Sequence, residues 1–195
     1  DREGLMNVPY VDEILVTDRP TVAQADSFDA ILDFYESVEN NRDQKIYDPI
    51  DICCEWAGVS PTDRLPNWYV TDQEKDWVNG WLAQHGTTSS DKLVGLPLTA
   101  SSPHRTWIHW AELVEYILAH APEWKVVLLG NMQHGVTFLD EILRKFPGSP
   151  RVLNAFGQTT LRQAAALLNQ CRVIVSPDTG FVHVLAALKK PTVAI

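Results

Sequence analysis

The residues best suited to chemistry lie in the turn at 176–180, Ser-Pro-Asp-Thr-Gly, which leads directly into an apolar segment. Gly180 would let a ligand approach the backbone closely. The first amides of a helix are unpaired, and the helix dipole adds partial positive charge to them. The turn can therefore bind a phosphate or diphosphate. Plain N-capping by Asp178 or Thr179, with no ligand, accounts for these residues equally well.

His183 stands one turn inside that apolar segment, between Val182 and Val184. A lone histidine on an apolar helix is usually a core residue with one hydrogen bond. Beside an anion site it can instead donate to a ligand oxygen. The sequence favours the second interpretation modestly.

A second polar loop follows the apolar segment that ends at Leu98, and it combines small hydroxyls with a histidine and a guanidinium. Its hydroxyls belong to Thr99, Ser101 and Ser102. Arg105 can hold two phosphate oxygens at once with its planar fork. The alternative is a solvated loop in which Thr106 caps the next helix.

A third loop, Gly130 to Gly135, contains Met132, Gln133 and His134. It could line a base or ribose pocket, or it could be a simple turn. Its signal is weaker than that of the other two loops.

Short apolar segments alternate with amphipathic ones over the second half of the chain. The pattern predicts strands at 93–98, 125–129, 151–155, 172–176 and 192–195, and helices at 107–121, 137–146, from Thr160 onward and at 181–188. The last helix is apolar nearly all round, so we expect it to be buried.

This alternation of strands and helices is typical of a parallel sheet with helices on both faces, an α/β Rossmann-like fold. Ligands bind such sheets at the carboxyl ends of the strands, where the strand order reverses. We therefore expect the turns around Arg105 and Thr179 to meet at one edge.

The first half is less regular. It predicts a strand at 12–18, and a strand or the start of a helix at 28–34, with a strand preferred. It also predicts a helix at 45–57 that is broken near Pro49 and stopped by Gly58, and a capping-box helix from Thr71 to about His85. The polar stretch 86–91 predicts a domain boundary. We expect a partial N-terminal domain at 1–90 and a nucleotide-binding domain at 91–195. The absence of an initiator Met and the strand-like last residues suggest a piece of a longer protein.

Composition excludes several classes of protein. The net charge of −9 argues against a nucleic-acid partner. No apolar run is long enough for a membrane span, and the first residues do not form a signal peptide. Three cysteines, with Cys53 and Cys54 adjacent, fit a reducing compartment, and the pair reads as small buried helix residues. No zinc or Gly-rich nucleotide motif occurs, which favours phosphate recognition without a metal.

Several stretches together resemble glycosyltransferase family 9, the heptosyltransferase-like enzymes. They are VIVSPDTGFVH at 173–183, AAL at 186–188, PTVAI at 191–195, GQTTL at 157–161, AAALL at 164–168, GLPLTASS at 95–102, RTW at 105–107 and, more faintly, PYVDEIL at 9–15. The resemblance implies a GT-B arrangement of two Rossmann-like domains and an inverting transfer that needs no metal or other cofactor.

By that resemblance, Asp178, Thr179 and Gly180 fall on the family's diphosphate-binding turn, with His183 beside it. Arg105 falls where the family commonly has Lys and would stabilise the leaving group. Met132 and Gln133 occupy the stretch where the family often has an acidic residue near the ribose. The family's catalytic base lies early in its N-terminal domain and has no counterpart here.

The resemblance implies that a heptose-like sugar moves from a nucleotide diphosphate, expected to be ADP, to a lipopolysaccharide-type or other glycan or lipid-linked acceptor. The expected location is the cytoplasm, with peripheral association at the inner face of the membrane left open. Two alternatives remain: a nucleotide-sugar epimerase, and a non-catalytic binding or scaffold module. A dinucleotide dehydrogenase is disfavoured because no Gly-rich turn follows a strand.

Overall fold

The computed structural model describes residues 2–15, 21, 24, 26–28, 31, 49–61, 64–100 and 102–195. The chain divides into two compact units, one formed by Asp1–Asp12 with Pro66–Ile195 and the other by Glu13–Leu65. The first unit extends across the boundary predicted at 86–91. The domain division of the whole protein stays a prediction.

The larger unit alternates strands and helices, as expected from the sequence. Its elements are α1 (Arg2–Leu5), α3 (Asp72–Gln84), β1 (Lys92–Pro97), α4 (Trp110–His120), β2 (Trp124–Leu129), α5 (Val136–Lys145), β3 (Val152–Asn154), α6 (Leu161–Gln170), β4 (Val173–Ser176), α7 (Gly180–Ala187) and β5 (Thr192–Ala194). In the smaller unit the described residues form α2 (Pro49–Trp56). The predicted α/β class with a parallel sheet is confirmed.

The described strands form one parallel sheet in the order β3-β2-β1-β4-β5. The chain builds outward from β1 through β2 to β3 and then crosses back to place β4 on the other side of β1. Strand order therefore reverses between β1 and β4. In doubly wound sheets a ligand crevice lies beyond the carboxyl ends of the strands at such a reversal.

Each face of the sheet carries its own apolar core. Side chains of α4 and α5 pack on one face against Val94, Leu96, Val126 and Leu128. Side chains of α3, α6 and α7 pack on the other face. This division fixes where the loops after β1 and β4 leave the sheet.

Local capping signals in the sequence are confirmed. Thr71 caps α3 in a full capping box with Glu74, and Thr160 caps α6 in the same way with Gln163. Each box satisfies two backbone donors at a helix start. Gly58 follows α2 with a φ of +69°, in keeping with the predicted stop.

Three predictions about helices need correction. The helix predicted from Trp107 begins at Trp110, because Pro103–Arg105 forms a 3₁₀ turn and the Thr106 hydroxyl donates back to the Ser102 carbonyl instead of capping. Helix α7 is not buried all round: Leu185 is its buried residue, because one face of the helix packs inward. Cys53 and Cys54 lie on α2 but are only half-buried.

Fewer of the predictions for the first half of the chain are confirmed. Residues 12–15 form no strand, since no described strand pairs with them to satisfy their backbone groups. Residues 16–18, most of the strand predicted at 28–34 and residues 45–48 of the predicted helix lie outside the described residues. Among the residues that the structure describes, no helix is long and apolar enough to cross a membrane.

A buried arginine ties distant segments of the larger unit together. Arg162, on α6, is 6% exposed and forms an ion pair with Glu74 on α3. Its guanidinium also donates to the carbonyls of Glu3, Met6 and Tyr69. Burial raises the pKa of Glu74, but hydrogen bonds from Arg162 and Thr71 and the charge of Arg162 outweigh it and hold the pKa below its usual value of 4.5.

Gly95 tests how tightly α6 packs on β1. A Cβ at this position would lie 2.4 Å from Leu168 Cδ2 and 3.2 Å from the Sγ of buried Cys171. We expect Gly95→Ala to lower the free energy of unfolding by about 1–3 kcal/mol, because an added methyl overpacks this core. Urea unfolding measures it. Gly80→Ala on α3 is the control: a Cβ there meets open space, so we expect a gain of about 0.5–1 kcal/mol. Unchanged stability of the Gly95 variant would show that Leu168 yields freely.

The Glu74 carboxylate gives a pH test. Because its folded pKa lies below 4.5, its contribution to stability is complete above that pH and is lost as the pH falls through the folded value. Glu74→Gln leaves the Arg162 charge buried without a counter-charge. We expect a loss of about 3 kcal/mol in the free energy of unfolding at neutral pH.

The difference in the free energy of unfolding between wild type and the Glu74→Gln variant should shrink as the solution becomes more acidic than pH 4.5. Urea unfolding at neutral and acid pH measures this change. Glu141→Gln, at an exposed carboxylate on α5, is the matched control and should leave stability unchanged at both pH values. A difference for Glu74→Gln that stays constant with pH would contradict the assignment.

Candidate functional site

A cavity of about 510 Å³ opens at the carboxyl edge of the sheet, where the strand order reverses. The loops after β1, β2 and β4 supply most of its polar lining, and the starts of α6 and α7 supply apolar lining. It is lined by Trp68, Thr99, Ala100, Arg105, Asn131, His134, Leu161, Thr179, Gly180, Phe181 and Val184. We call it the switch-point cavity.

The turn after β4 brings an N-terminal helix end to this cavity. Thr179 is the N-cap of α7, and its hydroxyl accepts from the Phe181 amide at 3.3 Å. Gly180 begins the helix, and the space where a Cβ would stand is open. Thr179 therefore caps the helix and lines the cavity at once, so the capping and ligand-binding interpretations are compatible. An anion here would meet backbone amides and the positive end of a helix.

Arg105 joins the loop after β1 to this turn. Its Nη1 donates to the Asp178 carbonyl at 3.3 Å and lies 3.5 Å from the Asp178 carboxylate. The two side chains are 38% and 69% exposed. Exposed ion pairs contribute at most about 1 kcal/mol, so an anion of higher charge can compete for this guanidinium. The two turns that the sequence analysis singled out are in direct contact.

The loop after β2 is shaped by its own hydrogen bonds. The Asn131 side-chain oxygen accepts from the amides of Gln133 and His134 at 3.1 and 3.0 Å. Gly135 has a φ of +79°, and a Cβ on it would lie 2.4 Å from Thr99 Cγ2. Close packing of Gly135 on Thr99 thus brings His134 to the cavity wall. A second cavity of about 440 Å³ adjoins the first and shares Thr99, Ala100 and His134 with it.

The residues predicted to bind a donor do not all line the same cavity. Thr99, Arg105, Thr179 and Gly180 line the switch-point cavity, and Ser102 and Gln133 line the adjoining one with Thr99. Met132 is 62% exposed and is the nearest neighbour of a Cβ built on Gly157. Ser101 lies outside the described residues.

Asp178 and His183 are not among the lining residues of either cavity. Asp178 reaches the site through its contacts with Arg105. His183 is exposed and therefore not a core residue, and it does not belong to the lining of either cavity. Helix geometry accounts for this, since Phe181 and Val184 share the face toward the cavity and His183 is rotated by roughly 100° from Val184.

The sequence did not identify several of the residues that line the cavity. His134 and Asn131 belong to a loop that the sequence marked only weakly. Phe181, Val184 and Leu161 read as ordinary core residues. Trp68 precedes α3 in an irregular stretch and carried no signal that links it to a loop more than a hundred residues away.

No group of acidic, histidine or cysteine residues that could hold a metal ion occurs among the described residues. Burial raises the pKa of Cys171 to about 12, so this thiol stays protonated. The polar groups that line the cavity are the side chains of Arg105, Asn131 and His134, the hydroxyls of Thr99 and Thr179, and backbone amides. That set can bind and neutralise an anion.

Comparison with known proteins gives consistent matches. The family model for glycosyltransferase family 9 (heptosyltransferase) matches residues 67–195. The lipopolysaccharide heptosyltransferase 2 of Escherichia coli K12 is 30% identical over 135 residues, which cover 67% of this chain and 37% of the relative. The chain thus spans well under half the length of this relative.

Solved structures agree with the family match. The structure of the E. coli ADP-heptose lipopolysaccharide heptosyltransferase II is 30% identical with a TM-score of 0.57, over 69% of this chain and 41% of that one. A family 9 glycosyl transferase from Veillonella parvula has a TM-score of 0.66 at 21% identity, over 77% and 44% of the two chains, and shows the shared fold. The α/β fold is accordingly of the GT-B type. The chain belongs to glycosyltransferase family 9, the heptosyltransferase family.

Proposed function

We propose that this chain carries the donor-binding part of an inverting, metal-independent glycosyltransferase. The enzyme moves a heptose-like sugar from a nucleotide diphosphate to a lipopolysaccharide-type acceptor. The observation that carries the proposal is the contact of Arg105 with the Asp178 turn, which places a guanidinium and a helix N-terminus at one cavity. Inversion, the absence of a metal requirement and the acceptor class rest on the family resemblance.

The chemistry follows from charge. As the bond between sugar and diphosphate breaks, the leaving oxygen gains negative charge. Arg105 and the amides at the start of α7 would stabilise that charge as it develops, which lowers the barrier. A carboxylate outside the described site would remove the proton of the acceptor hydroxyl. The site residues of this chain would thus bind the donor and assist the departure of the nucleotide diphosphate from the sugar.

ADP as the donor nucleotide is supported by the similarity to the E. coli relative, an ADP-heptose heptosyltransferase. The loops that follow β2 and β3 lie at the same edge as the diphosphate turn. Gly130 packs there against the Phe156 ring, and Gly157 packs against Met132. These contacts fix the loop that we expect to lie near the ribose. The proposed location is the cytoplasm, where nucleotide sugars are available.

Arg105 provides the direct test of leaving-group stabilisation. In the intact protein, with ADP-heptose and a heptose-deficient lipopolysaccharide acceptor, we expect Arg105→Ala to lower kcat about 100-fold, the usual cost of losing one donor to a developing anion. Arg105→Lys keeps the charge but loses the fork, so its kcat should be intermediate. Acceptor-dependent release of ADP is the measurement.

Arg172→Ala is the matched control for Arg105→Ala. It removes an exposed guanidinium that precedes β4, at the opposite edge of the sheet, and should leave kcat unchanged. If Arg105→Ala turned over at the wild-type rate, the proposed role would be wrong. If the wild-type protein bound no nucleotide at all, the scaffold alternative would replace the enzyme.

Asp178 should contribute less than Arg105, because its side chain acts through the guanidinium that it orients. We expect Asp178→Ala to lower kcat/KM about 10-fold, and we expect little further loss when it is combined with Arg105→Ala. The same release assay measures both variants. Strictly additive losses would show that Asp178 acts independently of Arg105.

A further inference from the structure

We propose that Trp68 recognises the donor beyond its diphosphate, by packing against an apolar ring face, and that Arg162 is the positioning residue that holds Trp68 in place. The proposal rests on the proposed function of the switch-point cavity and adds a residue that determines its specificity. Trp68 lines that cavity together with Arg105 and Thr179.

The cavity lining has two chemical characters. Arg105, Asn131 and Thr179 supply donors suited to oxygen atoms. The apolar lining residues include Leu161, Phe181 and Val184, and Trp68 has the largest side chain among them. A nucleotide sugar has the same two characters, a charged diphosphate and rings with apolar faces. Indole is well suited to such faces because of its area and polarisable π system.

Stability alone does not explain the placement of Trp68. Its indole nitrogen is buried, and it has no hydrogen-bond partner within the described part of the chain. A buried donor without an acceptor costs free energy, so hydrogen bonding within the described residues does not favour this placement. The segment that carries Trp68 is also not part of a helix or strand. Something other than regular structure has to hold it against the cavity.

Arg162 supplies that hold. Its guanidinium carbon lies 5.0 Å from the centre of the Trp68 ring, within the range of a cation–π contact. The same guanidinium donates to the carbonyl of Tyr69, the next residue in the chain. It therefore fixes both the ring and the backbone beside it.

The guanidinium is itself held in place. The Glu74 carboxylate accepts from Arg162 Nε and from Nη2, the latter at 3.2 Å, and the carbonyls of Glu3 and Met6 accept from Nη1 at 3.0 and 3.3 Å. Arg162 follows Leu161, another lining residue of the cavity. A side chain saturated in this way has no freedom left to bind a ligand, so its role is positional.

The test compares three ligands by titration calorimetry on the intact protein: pyrophosphate, ADP and ADP-heptose. We expect Trp68→Ala to weaken ADP-heptose binding about 10-fold and to leave pyrophosphate binding unchanged. An equal loss for ADP would assign Trp68 to the base, and a loss confined to ADP-heptose would assign it to the sugar. Trp68→Phe, which keeps an aromatic face, should stay within about 3-fold of wild type.

Other outcomes would overturn the proposal. They are unchanged ADP-heptose binding by Trp68→Ala, or an equal loss for pyrophosphate. Tyr116→Ala removes an exposed aromatic ring on α4 outside the cavity lining and should change no affinity. Failure of the wild-type protein to bind any of the three ligands would instead contradict the proposed function.

Arg162 is tested without leaving a lone buried charge. The double variant Arg162→Met with Glu74→Gln removes both members of the ion pair. We expect its KM for ADP-heptose to rise about 10-fold with kcat nearly unchanged. Adding Trp68→Ala to this double variant should then raise KM little further, because the ring is no longer held in place.

A purely structural role for Arg162 would make the increases in KM from the double variant and from Trp68→Ala additive, or would lower kcat and leave KM unchanged. Either result would overturn the positioning role. Circular dichroism of each variant verifies folding. If the double variant does not fold, Arg162→Lys gives the same readout. It keeps the charge beside Glu74 but cannot reach Tyr69 and the ring together, so KM should rise with kcat unchanged.

Discussion

The reversal of strand order between β1 and β4 is the constraint on which the site depends. Apolar strands that are buried on both faces require helices on both faces, and right-handed crossovers then place α4 and α5 on one side and α6 and α7 on the other. The loops after β1 and β4 leave neighbouring strands toward opposite faces. A crevice opens between them, and the turns that contain Arg105 and Thr179 line it together with the loop after β2.

The crevice gains an apolar wall from a segment outside the sheet. The residues just before α3 belong to no strand, and the Arg162 guanidinium donates to the Tyr69 carbonyl in that segment. The same guanidinium also donates to the carbonyls of Glu3 and Met6. Arg162 reaches residues that are 88 to 159 positions away in sequence. One buried side chain thus contacts both the Trp68 ring and the backbone of the next residue. The sheet positions the loops that carry the charged part of the site, whereas the Trp68 part of the apolar wall depends on this arginine in the proposal above.

Sequence reasoning succeeded where the signal was local. The capping boxes at Thr71 and Thr160 each join residues three positions apart, and the strands are continuous apolar runs, so both could be read directly. It was less informative where position depends on rotation or on distant contacts. The structure leaves His183, which was expected beside the anion site, exposed and outside both cavity linings, so its role in donor binding stays a prediction. Trp68 could not be assigned, since its contact with Arg162 leaves no periodic trace in the sequence.

Two arginine–carboxylate pairs in this unit illustrate how burial sets function. Arg105 and Asp178 meet in an exposed setting at the cavity, where water screens their attraction and the pair is weak enough to be replaced by an incoming diphosphate. Arg162 and Glu74 are 7% and 13% exposed, so separating them would leave a charge in a dry environment. The first pair can exchange partners during a reaction cycle, and the second cannot. This contrast fits the proposed site, in which the exposed pair would yield to an anion while the buried pair keeps the adjoining wall in place.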